Sequence, residues 1–133
     1  MLVVFVGVFV VLHGLVHLLY FGQSQRFFEL QPGMVWPDGA WAFSKLLGDE
    51  TTRWLASAAC VLAALSFVVG GISILANQRW WRVPTMIAAA LSSVMFMLMW
   101  NGRMQKLPDQ GAIGILINLI IMIAMFVVNE IAF

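Results

Sequence analysis

Two histidines four residues apart are the side chains in this sequence whose type and spacing could do chemistry. His13 and His17 lie in the first long apolar stretch, and they are the only histidines of the chain. On a helix, a spacing of four places both imidazoles on one face. If the stretch crosses a membrane, the pair lies near the middle of the bilayer, where ionisable groups are costly and usually functional. The pair is therefore the centre of the candidate site.

Three kinds of ligand are compatible with this pair. Histidines at this spacing can chelate one metal ion, and Cys60, the only cysteine, is a candidate further ligand, so His13, His17 and Cys60 are the predicted metal ligands. One haem needs axial ligands on opposite faces, so a haem would require a methionine as second ligand or a dimer that shares it. In a third interpretation the imidazoles hydrogen-bond the head group of a quinone or another lipid. Gly14 would let a flat ligand or a neighbouring helix approach the backbone.

Composition indicates where these histidines lie. The chain has 133 residues, of which 62% are hydrophobic and 10% charged, and its mean hydropathy is +0.96. A soluble domain carries about 25% charged residues, so the sequence predicts an integral membrane protein. A net charge of +1 argues against nucleic-acid binding. We expect a multi-pass membrane protein, surrounded by lipid.

Four apolar stretches have the length of a membrane span. They predict an all-α fold, a bundle of four transmembrane helices in one domain, with helices at residues 2–21, 54–76, 83–100 and 111–129. The first stretch has no basic segment before it and no small-residue cleavage pattern after it, so we expect a retained helix and not a removed signal.

The connections between the predicted helices differ in length and composition. Residues 22–53 carry several aromatic residues with four acids and three bases, which favours a segment lying on the membrane surface, and residues 40–47 could form a short interfacial helix. Antiparallel helices place residues 22–53 and 101–110 on one side of the bundle, which we call side B. The short link 77–82 lies on the opposite side, side A, and its tryptophans and arginines form an interfacial anchor. More lysine and arginine on side B favours a cytoplasmic side B.

Depth in the membrane can be counted from the helical rise per residue. From side B, His13 and Ser93 lie about 12 Å deep, Asn118 about 10 Å and Cys60 about 9 Å. One polar group from each helix therefore falls in a single layer, and Tyr20 and Trp100 lie nearer to side B. We predict a polar half-bundle that opens towards side B under residues 22–53, with ligand-binding residues His13, His17, Tyr20, Ser93, Trp100 and Asn118.

A structural role is the main alternative for these polar groups. Membrane helices use histidine, serine and asparagine as interhelical hydrogen-bonding groups, each worth about 1 kcal/mol. The protein would then be an accessory or assembly subunit of a larger membrane complex, or a homo-oligomer. Enzyme activity is undecided, because no nucleophile and base pair is evident and two neutral histidines alone support only proton transfer.

Several segments together resemble a group of small membrane proteins. Residues 12–20 contain the run His-Gly-Leu-Val-His, residues 28–33 and 36–39 form turns rich in Pro and Gly, and residues 46–49 precede the second helix. With Asn118, these segments resemble small four-helix prokaryotic membrane proteins of unknown function, and the likeness extends over nearly the whole chain. The resemblance implies a four-helix fold and a place in the cell membrane of a prokaryote, the inner membrane. That group has no established activity, so it supplies no catalytic residue.

Overall fold

The computed structural model describes residues 1–102 and 111–130, with side chains up to residue 127. The chain is all-α, as predicted, and 76% of it is helical. Four α-helices follow one another, with a short 3-10 helix, Arg79–Trp81, directly before the third: α1 Leu2–Ser24, α2 Ser44–Leu75, α3 Arg82–Leu98 and α4 Ala112–Glu130.

Three helical segments are long and apolar enough to cross a membrane. They are Leu2–Ser24, Ser44–Leu75 and the continuous Arg79–Leu98. The apolar part of α4, Ala112–Val127, is shorter. Many large apolar side chains of all four helices are exposed, including Phe5, Leu62, Val94 and Phe126. Such surfaces are typical of helices that face lipid.

Helix α2 lies at the centre of the bundle, between α1 and α3, while α4 packs against α3. Glycines let α1 approach α2 closely. A Cβ atom at Gly14 would lie 2.6 Å from Cβ of Phe67 and 3.1 Å from the carbonyl oxygen of Ala64. One at Gly71 would lie 2.8 Å from the carbonyl oxygen of Gly7. Of the two neighbours expected for Gly14, a flat ligand or a helix, the structure therefore places a helix there.

Helix α2 begins ten residues before the predicted residue 54. Its first turn, from Ser44, is separated from the rest by Gly48, whose φ of 81° and ψ of 162° are not helical. The Thr52 hydroxyl donates to the Gly48 carbonyl at 2.7 Å, so the chain resumes helical geometry directly after the break. The predicted short helix at residues 40–47 thus corresponds to the bent first turn of α2.

The chain between α1 and α2 folds over the side-B end of the bundle. Trp36 is buried and packs against Tyr20, with ring centroids 5.2 Å apart. Asp38 holds this segment in place, because it pairs with Arg26 at 2.8 Å and accepts two hydrogen bonds from Arg53 at 2.6 Å each.

The same segment also contacts the end of α3. The indole N–H of Trp41 donates to the Met97 carbonyl at 2.7 Å, and its backbone N–H donates to the Trp100 carbonyl at 2.9 Å. The bond to Met97 satisfies a carbonyl group in the last turn of α3, which has no intrahelical partner, and the bond to Trp100 holds the chain just after the helix.

Candidate functional site

Four buried side chains from three helices form a closed ring of hydrogen bonds, which we call the histidine circuit. His13 Nε2 lies 2.8 Å from Asn118 Oδ1, and Asn118 Nδ2 lies 3.0 Å from Ser92 Oγ. Ser92 Oγ lies 2.6 Å from His17 Nε2, and His17 Nδ1 lies 3.0 Å from the backbone oxygen of His13. The circuit therefore starts and ends at one residue and joins α1, α3 and α4.

The chemistry of each group fixes the direction of these bonds. A carbonyl oxygen only accepts, so Nδ1 of His17 carries the proton. Nε2 of a neutral His17 is then an acceptor, and the Ser92 hydroxyl donates to it. The amide of Asn118 donates to Ser92 and accepts from Nε2–H of His13. Every bond thus has one donor and one acceptor while both imidazoles are neutral.

The two histidines consequently adopt different tautomers. His13 carries its proton on Nε2 and His17 carries it on Nδ1. Both nitrogens of His17 are used within the circuit. Nδ1 of His13 is a free acceptor with respect to the part of the chain that the structure describes. His13 is therefore the member of the circuit with a ring nitrogen left for another molecule.

Local structure explains why the circuit forms on α1. Side chains of helical residues lean towards the N-terminus, which brings His17 to the carbonyl of the residue four positions earlier. Phe67 of α2 is fully buried behind the pair, with ring centroids 4.8 Å from His13 and 5.3 Å from His17. The close approach of α2 at Gly14 is what places Phe67 there. An apolar wall on this side confines the polar atoms to the face towards α3 and α4.

A groove of about 220 Å³ lies beside the circuit, between α1 and α4 on the side-B half. We call it the α1–α4 groove. His13, His17 and Tyr20 line it together with Phe96 of α3 and Ile113 and Ile117 of α4. Sites for drug-sized ligands have volumes of about 300–1,000 Å³, so this groove suits a single small head group and not a large cofactor.

The structure brings some of the predicted ligand-binding residues together. Asn118 belongs to the circuit, and Ser93 lies at its edge, with Oγ 3.1 Å from Asn118 Nδ2. Tyr20 lines the groove and packs on Phe96 at 4.8 Å between ring centroids. Trp100 lies elsewhere, beyond the end of α3, where it lines a separate cleft with Trp41.

Cys60, predicted as a metal ligand with the histidines, lies in a different cluster. Its thiol contacts the Met95 sulfur at 3.6 Å, and it packs with Trp36, Ala56 and Met99. Among the described residues, no three of His, Cys, Asp and Glu are grouped as metal ligands. A metal chelated by both histidines would have to replace a hydrogen bond of His17, because both of its ring nitrogens are used within the circuit.

Two residues of the site were missing from the sequence prediction. Ser92 is fully buried and makes two bonds of the circuit, and Phe67 forms its apolar wall. A signal for Ser92 exists, because it continues a small-residue face of α3 with Ala88 and Ala89, at spacings of three and four. Phe67 has no such signal, since nothing in the sequence distinguishes it from other apolar residues of α2.

Comparison with known proteins gives no relative for this arrangement: no family model, no curated protein and no solved structure matches the chain.

Proposed function

We propose that this chain is a four-span integral membrane protein that binds the hydroxyl-bearing head group of a lipid-soluble ligand in the α1–α4 groove. Three helical segments already have spanning length and composition. Helix α4 has 19 residues, which at 1.5 Å each give about 28 Å, close to the thickness of the hydrocarbon core. With the four helices spanning, the histidine circuit lies within the bilayer.

The free nitrogen of His13 is the observation that carries this proposal. Its Nε2–H is used by Asn118, so Nδ1 is available as an acceptor on a residue that lines the groove. An acceptor in an apolar environment gains most from a partner that brings its own donor. A ligand hydroxyl fits this requirement, whereas a carbonyl group does not.

The surroundings of His13 define the rest of the ligand. The groove is lined by aromatic and aliphatic side chains apart from the two imidazoles. Tyr20 and Phe96 supply ring surfaces that favour a flat head group. The volume of about 220 Å³ admits one ring, with any tail lying outside among lipid. A quinol, the hydroxyl form of a quinone, combines these properties.

Two ligands and two variants test this proposal. The probes are decylhydroquinone, kept reduced, and its dimethyl ether, which has the same ring and tail but no hydroxyl donor. Equilibrium binding is measured in protein-loaded nanodiscs and corrected with empty nanodiscs. We expect wild-type protein to bind the hydroquinone at least about tenfold more tightly than the ether, the equivalent of one hydrogen bond of about 1.4 kcal/mol.

The matched variants separate binding from folding. His13→Gln keeps an N–H donor near the position of Nε2 for Asn118. Its acceptor oxygen is bonded to Cδ, whereas Nδ1 of histidine is bonded to Cγ, so no acceptor remains at the position of Nδ1. The variant should stay folded and lose the preference for the hydroquinone. Ser93→Ala changes a polar residue at the edge of the circuit and should keep the preference. Equal binding of both probes by wild-type protein would refute the proposal.

The second candidate function is an accessory subunit in which the circuit only holds the helices together. One observation favours it: every hydrogen bond of the circuit has its donor and its acceptor within the protein, as expected of a purely structural network. In that case a larger membrane complex or a second copy of the chain is the partner. Mild-detergent purification should then recover a defined complex, which His13→Leu would weaken while neither probe binds.

A further inference from the structure

Two apolar clefts flank the last part of α4 on side A, at the end of the bundle opposite the α1–α4 groove. The first, about 270 Å³, lies between α1 and α4 and reaches Trp81 and Ala124. The second, about 370 Å³, lies between α3 and α4 and is lined by Arg82 and Ile87. Met125 lines both clefts. The two apolar clefts therefore share one lining side chain, Met125.

The charged residue at this point is Arg82, which lines the second cleft. Arg82 forms no salt bridge with any residue in the described ranges 1–102 and 111–127, and its buried Nε has no hydrogen-bond partner there. Its guanidinium carbon lies 5.1 Å from the centre of the Trp81 ring, which fixes the charged group between the clefts. Arg82 is also the first residue of α3, where the helix dipole adds to its positive charge.

The sequence offers little to neutralise this charge. No aspartate or glutamate occurs between Glu50 and Asp109, so the link on side A carries Arg79 and Arg82 with no acid. Glu130 ends α4 on the same side, and its side chain lies outside the described residues. Side A therefore carries two arginines and no acid between Glu50 and Asp109, and one of these arginines, Arg82, lines the second cleft.

From this juxtaposition we infer that side A holds an anionic phospholipid. Its phosphate pairs with Arg82, and its two acyl chains lie in the clefts on either side of Met125. A guanidinium group matches a phosphate better than an ammonium group does, because it donates two parallel hydrogen bonds. The inference rests on insertion in a membrane, as proposed above, and is independent of ligand binding at His13.

Native mass spectrometry of the detergent-purified protein tests this inference. Phosphatidylglycerol and phosphatidylcholine with identical chains are added in equal amounts, and the ratio of the two bound lipids is measured. One arginine near anionic lipid is worth about a fivefold preference, so wild-type protein should retain phosphatidylglycerol about five times more often. Flotation of the protein with liposomes of the same lipids establishes membrane insertion separately.

Four variants test whether the preference for phosphatidylglycerol arises at Arg82 and the two apolar clefts. Arg82→Gln should bring the ratio close to one, and Arg82→Lys should preserve part of it. Lys45→Gln, which removes an exposed cation on side B, should leave the ratio unchanged. Ala124→Phe fills the first cleft and should reduce total bound lipid, whereas Ala58→Phe on the exposed face of α2 should not.

Three results would overturn the inference. They are a wild-type ratio of one, a ratio that Arg82→Gln leaves unchanged, and equal lipid retention by the Ala124→Phe and Ala58→Phe variants. The wild-type ratio and the Ala124→Phe result stand even if Arg82→Gln fails to fold.

Discussion

His13 and Asn118 are 105 positions apart in sequence, and His13 Nε2 donates to Asn118 Oδ1 at 2.8 Å. This bond connects α1 to α4. Cavities lie between the same two helices on both sides of it, the α1–α4 groove towards side B and the first apolar cleft towards side A. The hydrogen bond therefore joins α1 and α4 where the two helices are otherwise loosely packed. We expect the association of α1 with α4 to depend on it.

Replacing Asn118 by leucine should destabilise the bundle. The variant keeps the size of the side chain but leaves the Nε2–H of His13 without an acceptor. Loss of a buried partner costs about 1–3 kcal/mol, and interhelical bonds in membranes fall towards the lower end of the range. Unfolding by SDS, followed by circular dichroism, gives the free energy. Leu119→Ala on the exposed face of α4 is the control. Equal stability of wild-type and Asn118→Leu protein would show that the His13–Asn118 hydrogen bond does not stabilise the bundle.

Ser92 and Ser93 should differ in their importance although they are neighbours in sequence. Ser92→Ala removes one of the two acceptors of the Asn118 amide and the donor to His17, whereas Ser93→Ala removes only the other acceptor of that amide. We expect Ser92→Ala to cost at least about 1 kcal/mol more than Ser93→Ala. The same SDS titration measures both. The circuit would be wrong if Ser93→Ala were the more harmful change.

Gly14 should tolerate no side chain. The Cβ of Gly14→Ala would meet the backbone oxygen of Ala64 at 3.1 Å as well as Phe67, so α1 and α2 would have to separate, at a cost of about 1–3 kcal/mol. Gly114→Ala is the matched control in α4, because its Cβ would find Phe96 at an ordinary 3.6 Å. Thermal denaturation in detergent compares the two. Similar melting temperatures would contradict the packing of α1 on α2.

Asp38→Asn should loosen the segment over side B without unfolding the helices. Asp38 pairs with both Arg26 and Arg53, and these groups are partly exposed, so the global effect should be about 1 kcal/mol or less. Hydrogen exchange should increase in residues 25–43 and stay unchanged in α3. Glu29→Gln, which alters a bond of an exposed carboxylate, is the control. Unchanged exchange in residues 25–43 would show that the ion pairs do not hold the segment.

The helices were predictable because long apolar runs with few charges have few alternative structures. The start of α2 was not, since residues 44–53 are polar and contain Gly48, which signals a break but not the continuation of the helix on both sides of it. The burial of Trp36 was also not predictable from the sequence. A tryptophan in a polar segment is equally compatible with a position at the membrane surface and with burial against the end of a helix bundle, so the sequence does not distinguish the two.

The site was predictable in part for a geometric reason. Depth along each helix follows from residue number, and it placed His13 in one layer with Asn118, to which the structure joins it by a hydrogen bond. Rotation about the helix axis does not follow from depth, and neighbouring residues differ by about 100°. This is why Ser93 was predicted in the layer while Ser92 occupies the circuit, and why Cys60, predicted at a similar depth, contacts Met95 and not the histidines. The tautomers of His13 and His17 could be assigned only from the hydrogen-bond distances in the structure.

Nitrogen-15 NMR of the histidine side chains, in protein labelled at both imidazoles and embedded in lipid, tests the central claim most directly. We predict that His13 carries its proton on Nε2 and His17 on Nδ1, and that decylhydroquinone shifts the Nδ1 resonance of His13 while the resonances of His17 stay in place. The account would be contradicted if both histidines carried the proton on the same ring nitrogen, or if the hydroquinone and its dimethyl ether shifted His13 equally.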